Sequence, residues 1–282
     1  MRLDLHLHTH ASDGQFSAEE VVAQALALGL NVIAITDHDT TEGVLPAQTA
    51  AASTSLQVLA GIELSAEDDA GDVHMLGYCL NIANPILQER LQDFRENRYF
   101  RGNQILKKLA TLGVNVSWER VLEMAGVEND DPTQASSIGR PHIARAMVEA
   151  GYVDTVKEAF NRYIANDGPA YVARTRLTPE EAIELIHTAQ GVAVLAHPGL
   201  LPQHVAMVER LVPAGLDGVE VVHPQNTENV RLDLRGLAKI HGLVMTGGSD
   251  FHGPNIKEVK MGSVNPPPDA VTQLLERAER YQ

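Results

Sequence analysis

Short apolar stretches and helical patterns alternate along most of the chain. Helical patterns separate most of the apolar runs, and two of them begin with capping boxes, Ser17 with Glu20 and Thr178 with Glu181. Alternating strands and helices predict an α/β fold, either a barrel or a doubly wound sheet. Seven runs have the length and residue types of strands: RLDLHLH from residue 2, NVIAITDH from 31, LQVLAGIEL from 56, DVHMLGYC from 72, GVAVLAHP from 191, DGVEVVHP from 217 and LVMTGGSDFH from 243.

The alternation stops between residues 85 and 177, where the sequence shows helical patterns and no convincing strand. This run of helical patterns predicts a helical insertion between the fourth and fifth strands. We therefore expect two domains, a catalytic α/β domain formed by residues 1–84 and 178–282 and a helical domain formed by residues 85–177.

Length, composition and charge restrict the class of protein. A chain of 282 residues that is 44% hydrophobic can form one large α/β domain with an insertion. The net charge of −15 argues against binding to duplex nucleic acid, although a local cluster of metal ions or arginines can still bind a small anion. The single cysteine, Cys79, and the lack of a targeting or membrane-spanning pattern predict a cytoplasmic protein without contact to membranes.

Most apolar runs carry a potential metal ligand at or near their end. Carboxyl ends of parallel strands converge on one face of an α/β barrel, so these side chains are expected to meet. His6 and His8 alternate along one strand and therefore point to the same side, whereas His10 follows them only if the strand continues. The candidates are His6, His8, Asp37, His38, Asp39, Glu63, His74, His197, Glu220, His223, Asp250 and His252.

The residue types favour a catalytic metal site over other catalytic templates. Histidine nitrogens with carboxylate oxygens suit Zn, Mn or Fe, and the lack of paired cysteines argues against a structural zinc site. The sequence contains neither a phosphate-binding GxxxxGK[ST] loop nor GxGxxG nor HExxH. In GGSDF, Phe251 replaces the final glycine of a serine nucleophile elbow, and Cys79 lies inside a predicted strand without a basic neighbour.

Six ordered motifs resemble those of the PHP (polymerase and histidinol phosphatase) family. They are DLHLHTHASDG, AITDHDT, GIELSA, VHMLGY, LAHPG and GGSDFHG, and they cover both ends of the chain. The resemblance implies a distorted, TIM-like (β/α)7 barrel with the helical insertion. It also implies two or three divalent metal ions, with manganese expected ahead of iron or zinc, and hydrolysis of phosphoesters.

The resemblance also implies which residues hold each ion. His6, His8, Glu63 and Asp250 would surround one ion, and Glu63 would bridge to a second ion held by His74 and His197. Asp13, His38 and His252 would hold a third ion; some family members have histidine at the position of Asp13. Asp37 and Asp39 flank His38 and either orient it or cap the local turns, and the sequence does not choose between these roles.

Two stretches of the insertion resemble one branch of the family, the stand-alone bacterial phosphoesterases that act on nucleotides. They are SSIGRPHIAR and YVARTRLTPEEAI, and the branch includes 3′,5′-nucleoside bisphosphate phosphatases and RNase AM-like 5′ exoribonucleases. Arg140, near a helix start, and the helical series Arg95, Arg98 and Arg101 offer positive charge for a phosphate, although a solvated charged face explains that series equally well. The expected substrate-binding residues are Arg98, Arg101, Ser136, Ser137, Arg140 and His142.

The predicted reaction is removal of a phosphate from a nucleotide, in first place the 3′-phosphate of nucleoside 3′,5′-bisphosphates, by a metal-bridging hydroxide. Trimming of short 5′-phosphorylated, single-stranded RNA from its 5′ end is the nearest alternative. His223 and His10 are weak candidates for protonating the leaving group. A histidinol-phosphate phosphatase, a metal-dependent amidohydrolase and a non-catalytic metal-binding module remain open, as do the oligomeric state and the pathway.

Overall fold

A computed structural model of the protein describes residues 1–68, 71–127, 138–173, 177–254, 256 and 258–282. The chain forms two units, one composed of Met1–Gln88 with Arg176–Gln282 and the other of Glu89–Thr175. The sequence placed these boundaries after residues 84 and 177. In the structure the first boundary falls inside a long helix that begins at Pro85, rather than at the start of that helix.

A mixed sheet forms the centre of the first unit. Its strands follow one another in chain order, so each strand pairs with its neighbours in sequence. Most pairs are parallel, but β4 runs antiparallel to both β3 and β5. The strands of the described residues are β1 (Leu3–Leu7), β2 (Val32–Ile35), β3 (Gln57–Asp68), β4 (Gly71–Tyr78), β5 (Val192–Leu195), β6 (Gly218–Val222) and β7 (Val244–Gly247).

The two ends of this sheet come together. Leu7 forms a parallel bridge with Phe251, and the amide of His8 donates to the carbonyl of Phe251 at 3.0 Å. The segment after β7 passes so close to β1 that a Cβ at Gly248 would lie 2.4 Å from the backbone nitrogen of His6, which only glycine avoids. The sheet is therefore a nearly closed barrel, and the expected distorted α/β barrel is confirmed.

Helices of the first unit cover the sheet, and their ends follow the sequence signals. The Ser17 hydroxyl accepts from the amide of Glu20, and the Glu20 carboxylate accepts from the amide of Ser17, which completes the predicted capping box. Thr178 and Glu181 form the second box in the same way. The helices are α1 (Ala18–Ala27), α2 (Val44–Ala51), α7 (Pro179–Thr188), α8 (His204–Leu211), α9 (Glu228–His241) and α10 (Ala270–Ala278).

Two apolar clusters of the described residues contribute to the core of the first unit. One joins residues of β1 to β5 and β7 to α10, and includes Leu5, Tyr78 and Leu274. The other packs α1 and α2 against β1 and β2. Side chains of β1, β2 and β5 are buried along the full length of each strand, which fixes the positions of the polar residues that these strands also carry.

Helices are the regular elements of the second unit among its described residues, and this unit has its own apolar core. Ile105, Leu109, Ile143 and Met147 are among the buried side chains of this core. No helix in the described part of the chain has both the length and the apolar character needed to cross a bilayer. The α-helices that lie in or enter this unit are α3 (Pro85–Thr111), α4 (Trp118–Met124), α5 (Arg140–Glu149) and α6 (Val156–Ala159), and a π-helix follows at Phe160–Ile164.

Candidate metal centre

The predicted ligands come together at one end of the barrel. His6 lies near the end of β1, and His8 directly follows that strand. The other three ligands follow the strands β2, β5 and β7; they are His38, His197 and Asp250. His74 reaches the same place by a different route. Because β4 is antiparallel, its beginning lies beside the end of β3, where His74 pairs with Ser65.

Glu63 of β3 lies at the middle of this cluster, and its side chain is only 1% exposed. A parallel bridge to His38 and a backbone bond from Glu63 to the carbonyl of Asp37 fix its position next to the end of β2. Its two oxygens face different histidines. Oε2 lies 3.2 Å from His6 Nε2, His8 Nε2 and His38 Nδ1, and Oε1 lies 2.9 Å from His74 Nδ1 and His197 Nε2.

The first group of donor atoms consists of His6, His8, Glu63 and Asp250. Asp250 Oδ1 lies 3.5 Å from His6 Nε2 and 3.3 Å from His8 Nε2. Ligands about 2.1 Å from a tetrahedral ion are separated by about 3.4 Å, which matches these spacings. His8 Nε2 is buried without a hydrogen-bond partner, as expected of a nitrogen whose partner is a cation. The donor set therefore fits a divalent metal ion.

Two further groups of donor atoms adjoin the first. His8, Asp13, His38 and His252 form one, with His252 Nε2 3.2 Å from Asp13 Oδ1. His38, Glu63 and His74 form the other, while His197 approaches the same Glu63 oxygen as His74. Asp13 Oδ1 and His38 Nδ1 are also buried without a hydrogen-bond partner, so these groups fit cations as well.

The electrostatics of the cluster keep its carboxylates ionised. Burial raises the pKa of Glu63, but the neighbouring His38, His6 and His74 outweigh burial and hold that pKa well below its usual value. Burial lowers the pKa of His8, yet Asp250 and Glu63 outweigh it and raise the pKa to about 9. Anionic ligands that attract positive charge this strongly are suited to cations, which displace protons when they bind.

The carboxylates beside His38 support the surrounding turns. Asp37 accepts from the amide of Thr9 at 2.7 Å, from the Thr9 hydroxyl at 2.8 Å and from the Ser12 hydroxyl at 2.6 Å. Asp39 accepts from the amide of Ser65 at 2.7 Å. These bonds agree with the capping role, and those of Asp37 hold the loop that carries Asp13 back toward His8.

Two candidate ligands adopt a backbone conformation that is costly for residues other than glycine. His197 has φ +28° and Asp250 has φ +56°. Such conformations cost of the order of 1–3 kcal/mol and persist where surrounding contacts enforce them. The amide of Asp250 donates to the carbonyl of His6 at 2.9 Å, which ties the segment after β7 to β1 and places the Asp250 carboxylate beside His6 and His8.

Glu220 of β6 belongs to this site, although the ligand sets implied by the family resemblance do not include it. It is fully buried, and its carboxylate lies 3.0 Å from Nδ1 of His6. The sequence signal was the single charged residue within the apolar run of β6, because a buried charge needs a partner. Sequence alone did not identify that partner.

The two candidates for proton transfer lie in different surroundings. His223 follows β6 and is buried, with Nδ1 accepting from the amide of Gln225 and Nε2 3.5 Å from Asp250 Oδ2. His10 is exposed and is not part of the three donor groups found among the described residues.

The predicted substrate-binding residues lie in the helical unit. Arg101 donates to the carbonyl of Val172 at 2.7 Å, and Arg140 donates to Asn166 Oδ1 at 2.7 Å. Both guanidinium groups lie about 6 Å from the centre of the Tyr171 ring, at 5.7 and 6.0 Å, within the range of cation–π contacts.

The remaining predicted substrate contacts differ in what the structure shows. Arg98 is half-buried on α3. His142 is buried in α5, and its Nδ1 accepts from the amide of Gly139, so this nitrogen serves the start of the helix. Ser136 and Ser137 lie outside the described residues.

Comparisons with known proteins agree with the geometry of the site. The PHP domain model matches residues 4–163. The chain is 34% identical to the 5′-3′ exoribonuclease Rnm of Salmonella typhimurium, covering 89% of this chain and 85% of the relative. It is 33% identical to the 3′,5′-nucleoside bisphosphate phosphatase of Chromobacterium violaceum, covering 89% and 87% of the two chains.

The fold is also similar to that of a solved structure, a candidate metal-dependent phosphoesterase from Bifidobacterium adolescentis. The two chains are 32% identical and superpose with a TM-score of 0.87, and the match covers 98% of this chain and 96% of the other. Motifs, barrel, donor groups and relatives all agree. The chain therefore belongs to the PHP domain family and is a metal-dependent phosphoesterase.

Proposed function

We propose that this phosphoesterase removes the 3′-phosphate from nucleoside 3′,5′-bisphosphates. The proposal rests on the buried cluster of histidines and carboxylates around Glu63. It is supported by the 33% sequence identity to a 3′,5′-nucleoside bisphosphate phosphatase over most of both chains. A short nucleotide with two phosphates also suits a chain whose net charge of −15 disfavours long nucleic acid.

The proposed cofactors are two or three divalent ions, with manganese ahead of iron or zinc. His6, His8, Glu63 and Asp250 would hold one ion, and the adjoining donor groups would hold the others. Divalent ions in such a centre supply an activated water and neutralise the charge that develops on the phosphoryl group. The nitrogen and oxygen donors, without cysteine, suit these metals.

The protein residues contribute position and charge. Glu63 presents one oxygen to His6 and His8 and the other to His74, which keeps neighbouring donor groups at a fixed spacing. Neutral His223 carries its proton on Nε2, because its Nδ1 accepts the amide hydrogen of Gln225. We propose His223 ahead of His10 as the residue that stabilises the leaving oxygen by donating a hydrogen bond from Nε2, since His223 is buried beside Asp250 and His10 is exposed.

The helical unit carries a cluster with the chemistry to recognise a nucleotide. Arg101 and Arg140 both approach the ring of Tyr171, and arginines beside an aromatic ring can bind phosphate and stack on a base. We propose that these residues and Arg98 bind the substrate phosphate that is not cleaved. Ser136, Ser137 and His142 remain proposed contacts on the sequence evidence.

A comparison of substrates tests the proposed activity. Manganese-loaded protein is expected to release phosphate from adenosine 3′,5′-bisphosphate much faster than from histidinol phosphate, and to leave adenosine 5′-monophosphate as the product. Mass spectrometry of the products identifies which phosphate was removed. Equal rates on both compounds, or adenosine 3′-monophosphate as the product, would contradict the proposed specificity.

Trimming of RNA from its 5′ end is the second candidate, because the chain is 34% identical to an exoribonuclease over a similar length. A 5′-phosphorylated trinucleotide distinguishes the two activities, since an exoribonuclease releases nucleoside 5′-monophosphates from it. A kcat/KM for the trinucleotide above that for adenosine 3′,5′-bisphosphate would favour the exoribonuclease.

We propose a cytoplasmic location for the protein, because a single cysteine fits a reducing compartment.

A further inference from the structure

The carboxylate of Glu220 contacts two residues of the candidate metal centre. Oε1 lies 3.0 Å from Nδ1 of His6, and Oε2 accepts from the backbone amide of His197 at 2.7 Å. Its side chain is 0% exposed, so water does not compete for either bond. We infer that Glu220 is a positioning residue that fixes His6 and His197 as metal ligands by accepting one hydrogen bond from each.

The bond to His6 determines which nitrogen of that ring is available to a metal. When Nδ1–H donates to Glu220, Nε2 of the neutral ring carries the lone pair. Nε2 is the atom that lies 3.2 Å from Glu63 Oε2 and 3.5 Å from Asp250 Oδ1. The opposite tautomer would place a hydrogen on Nε2 and prevent it from binding a cation.

The bond to His197 stabilises an unfavourable backbone conformation. His197 has φ +28°, and its amide points at Glu220 in this conformation. The ring of His197 then reaches Oε1 of Glu63 at 2.9 Å. Glu220 therefore positions one histidine on each oxygen of Glu63, His6 on Oε2 and His197 on Oε1.

Glutamine at position 220 provides a nearly isosteric test, because it can accept only one of these two bonds. If its carbonyl accepts the amide of His197, its NH2 group faces Nδ1 of His6 and favours the tautomer with hydrogen on Nε2. If the amide is reversed, the NH2 group faces the amide of His197 and removes the support of its backbone. Either orientation weakens the same metal centre.

Asp217 offers a matched control directly before β6, the strand that carries Glu220. It is also buried, and it also contacts a histidine and a backbone amide, His187 Nε2 at 2.9 Å and the amide of Ala193 at 3.0 Å. His187 and Ala193 are not among the residues of the donor groups. Asp217→Asn therefore removes an equivalent buried charge without touching a proposed ligand.

The inference rests on the proposed metal centre, and zinc is a suitable probe because it is diamagnetic. Competition titrations with a zinc chelator are expected to give a zinc affinity about 10- to 100-fold weaker for Glu220→Gln than for the wild type. The affinity of Asp217→Asn should stay close to that of the wild type. Circular dichroism confirms that each variant is folded before the titration.

The tautomer of His6 gives a readout that general destabilisation would not change. In the zinc-loaded wild type, ¹⁵N NMR of the imidazole, assigned with a His6→Gln variant, should show a proton on Nδ1 of His6. A proton on Nε2 would overturn the inference even if Glu220→Gln failed to fold. Equal zinc affinities of wild type and Glu220→Gln would overturn it too. A wild type that binds no zinc would instead overturn the metal centre itself.

Discussion

Oε2 of Glu63 lies 3.2 Å from Nε2 of His8, and both side chains are buried from solvent. The same oxygen lies 3.2 Å from His38 Nδ1, so one carboxylate oxygen serves donors of neighbouring groups. This sharing has a consequence for mutation, because the loss of one side chain changes more than one group.

Replacement of Glu63 by glutamine is expected to remove metal from at least two of the donor groups. The amide loses the negative charge and one of the two acceptor oxygens that face the histidines. Metal content, measured by plasma mass spectrometry, should fall. The value of kcat/KM should fall by more than about 100-fold, because loss of a residue that only hydrogen-bonds a metal ligand costs about 10- to 100-fold. Full metal content in Glu63→Gln would show that Glu63 is not the shared ligand.

Replacement of Asp13 by asparagine is expected to affect a single group. Asp13 lies 3.2 Å from His252 Nε2 and 3.9 Å from His8 Nδ1, and it is not part of the group formed by His6, His8, Glu63 and Asp250. The variant should lose one ion per chain and keep the others, as measured by metal content after dialysis. Loss of all ions would contradict separate groups.

Much of the fold and part of the site could be predicted from sequence, for identifiable reasons. The period of two predicted that His6 and His8 share a face, because alternation along a strand is local geometry. The position of His74 could not be derived in the same way, since nothing in VHMLGY shows that its strand is antiparallel. The role of Glu220 also depends on contacts with distant residues, which a single sequence does not contain.

The helical unit illustrates the same limit. Helical spacing placed Arg98 and Arg101 near each other, but it did not show that the Arg101 side chain donates to the carbonyl of Val172. Nor did the sequence predict that the guanidinium groups of Arg101 and Arg140 both lie within about 6 Å of the Tyr171 ring, at 5.7 and 6.0 Å. These contacts join segments far apart in the chain, and they depend on how the helices pack.

Arg140→Ala tests the proposed binding of the second phosphate. KM for adenosine 3′,5′-bisphosphate should rise by about 10-fold or more, as expected for loss of a charge-assisted hydrogen bond. KM for a monophosphate ester should change little. Arg162→Ala is a suitable control, because Arg162 is an exposed arginine of the same unit that pairs with Glu158. Equal effects of Arg140→Ala on both substrates would exclude this role.

The dependence of stability on pH can be tested at Asp217, away from the donor groups. Burial raises the pKa of Asp217, but the hydrogen bonds from His187, the amide of Ala193 and Tyr281 outweigh it, so the folded-state pKa lies below the usual value. A depressed carboxylate pKa stabilises the fold above the unfolded-state pKa, and this contribution is lost as pH falls through the folded-state pKa.

Asp217→Asn should therefore lower the free energy of unfolding at pH 7 by about 1–3 kcal/mol. The difference from the wild type should shrink as the pH falls below about 4, measured by urea denaturation of both proteins. Asp233→Asn is the control, because Asp233 pairs with His204 at an exposed position and should matter little. A difference that stays constant down to pH 3 would contradict the assigned pKa direction.

We propose that this PHP-family chain uses its buried cluster of histidines and carboxylates to bind divalent metal and hydrolyse a nucleotide phosphoester. The most direct measurement is the rate of phosphate release from adenosine 3′,5′-bisphosphate by chelator-treated protein during titration with manganese. We expect no release without metal and saturable recovery at two or three ions per chain. A rate that does not depend on added metal, or full metal binding without phosphate release, would contradict metal-dependent hydrolysis of this nucleotide.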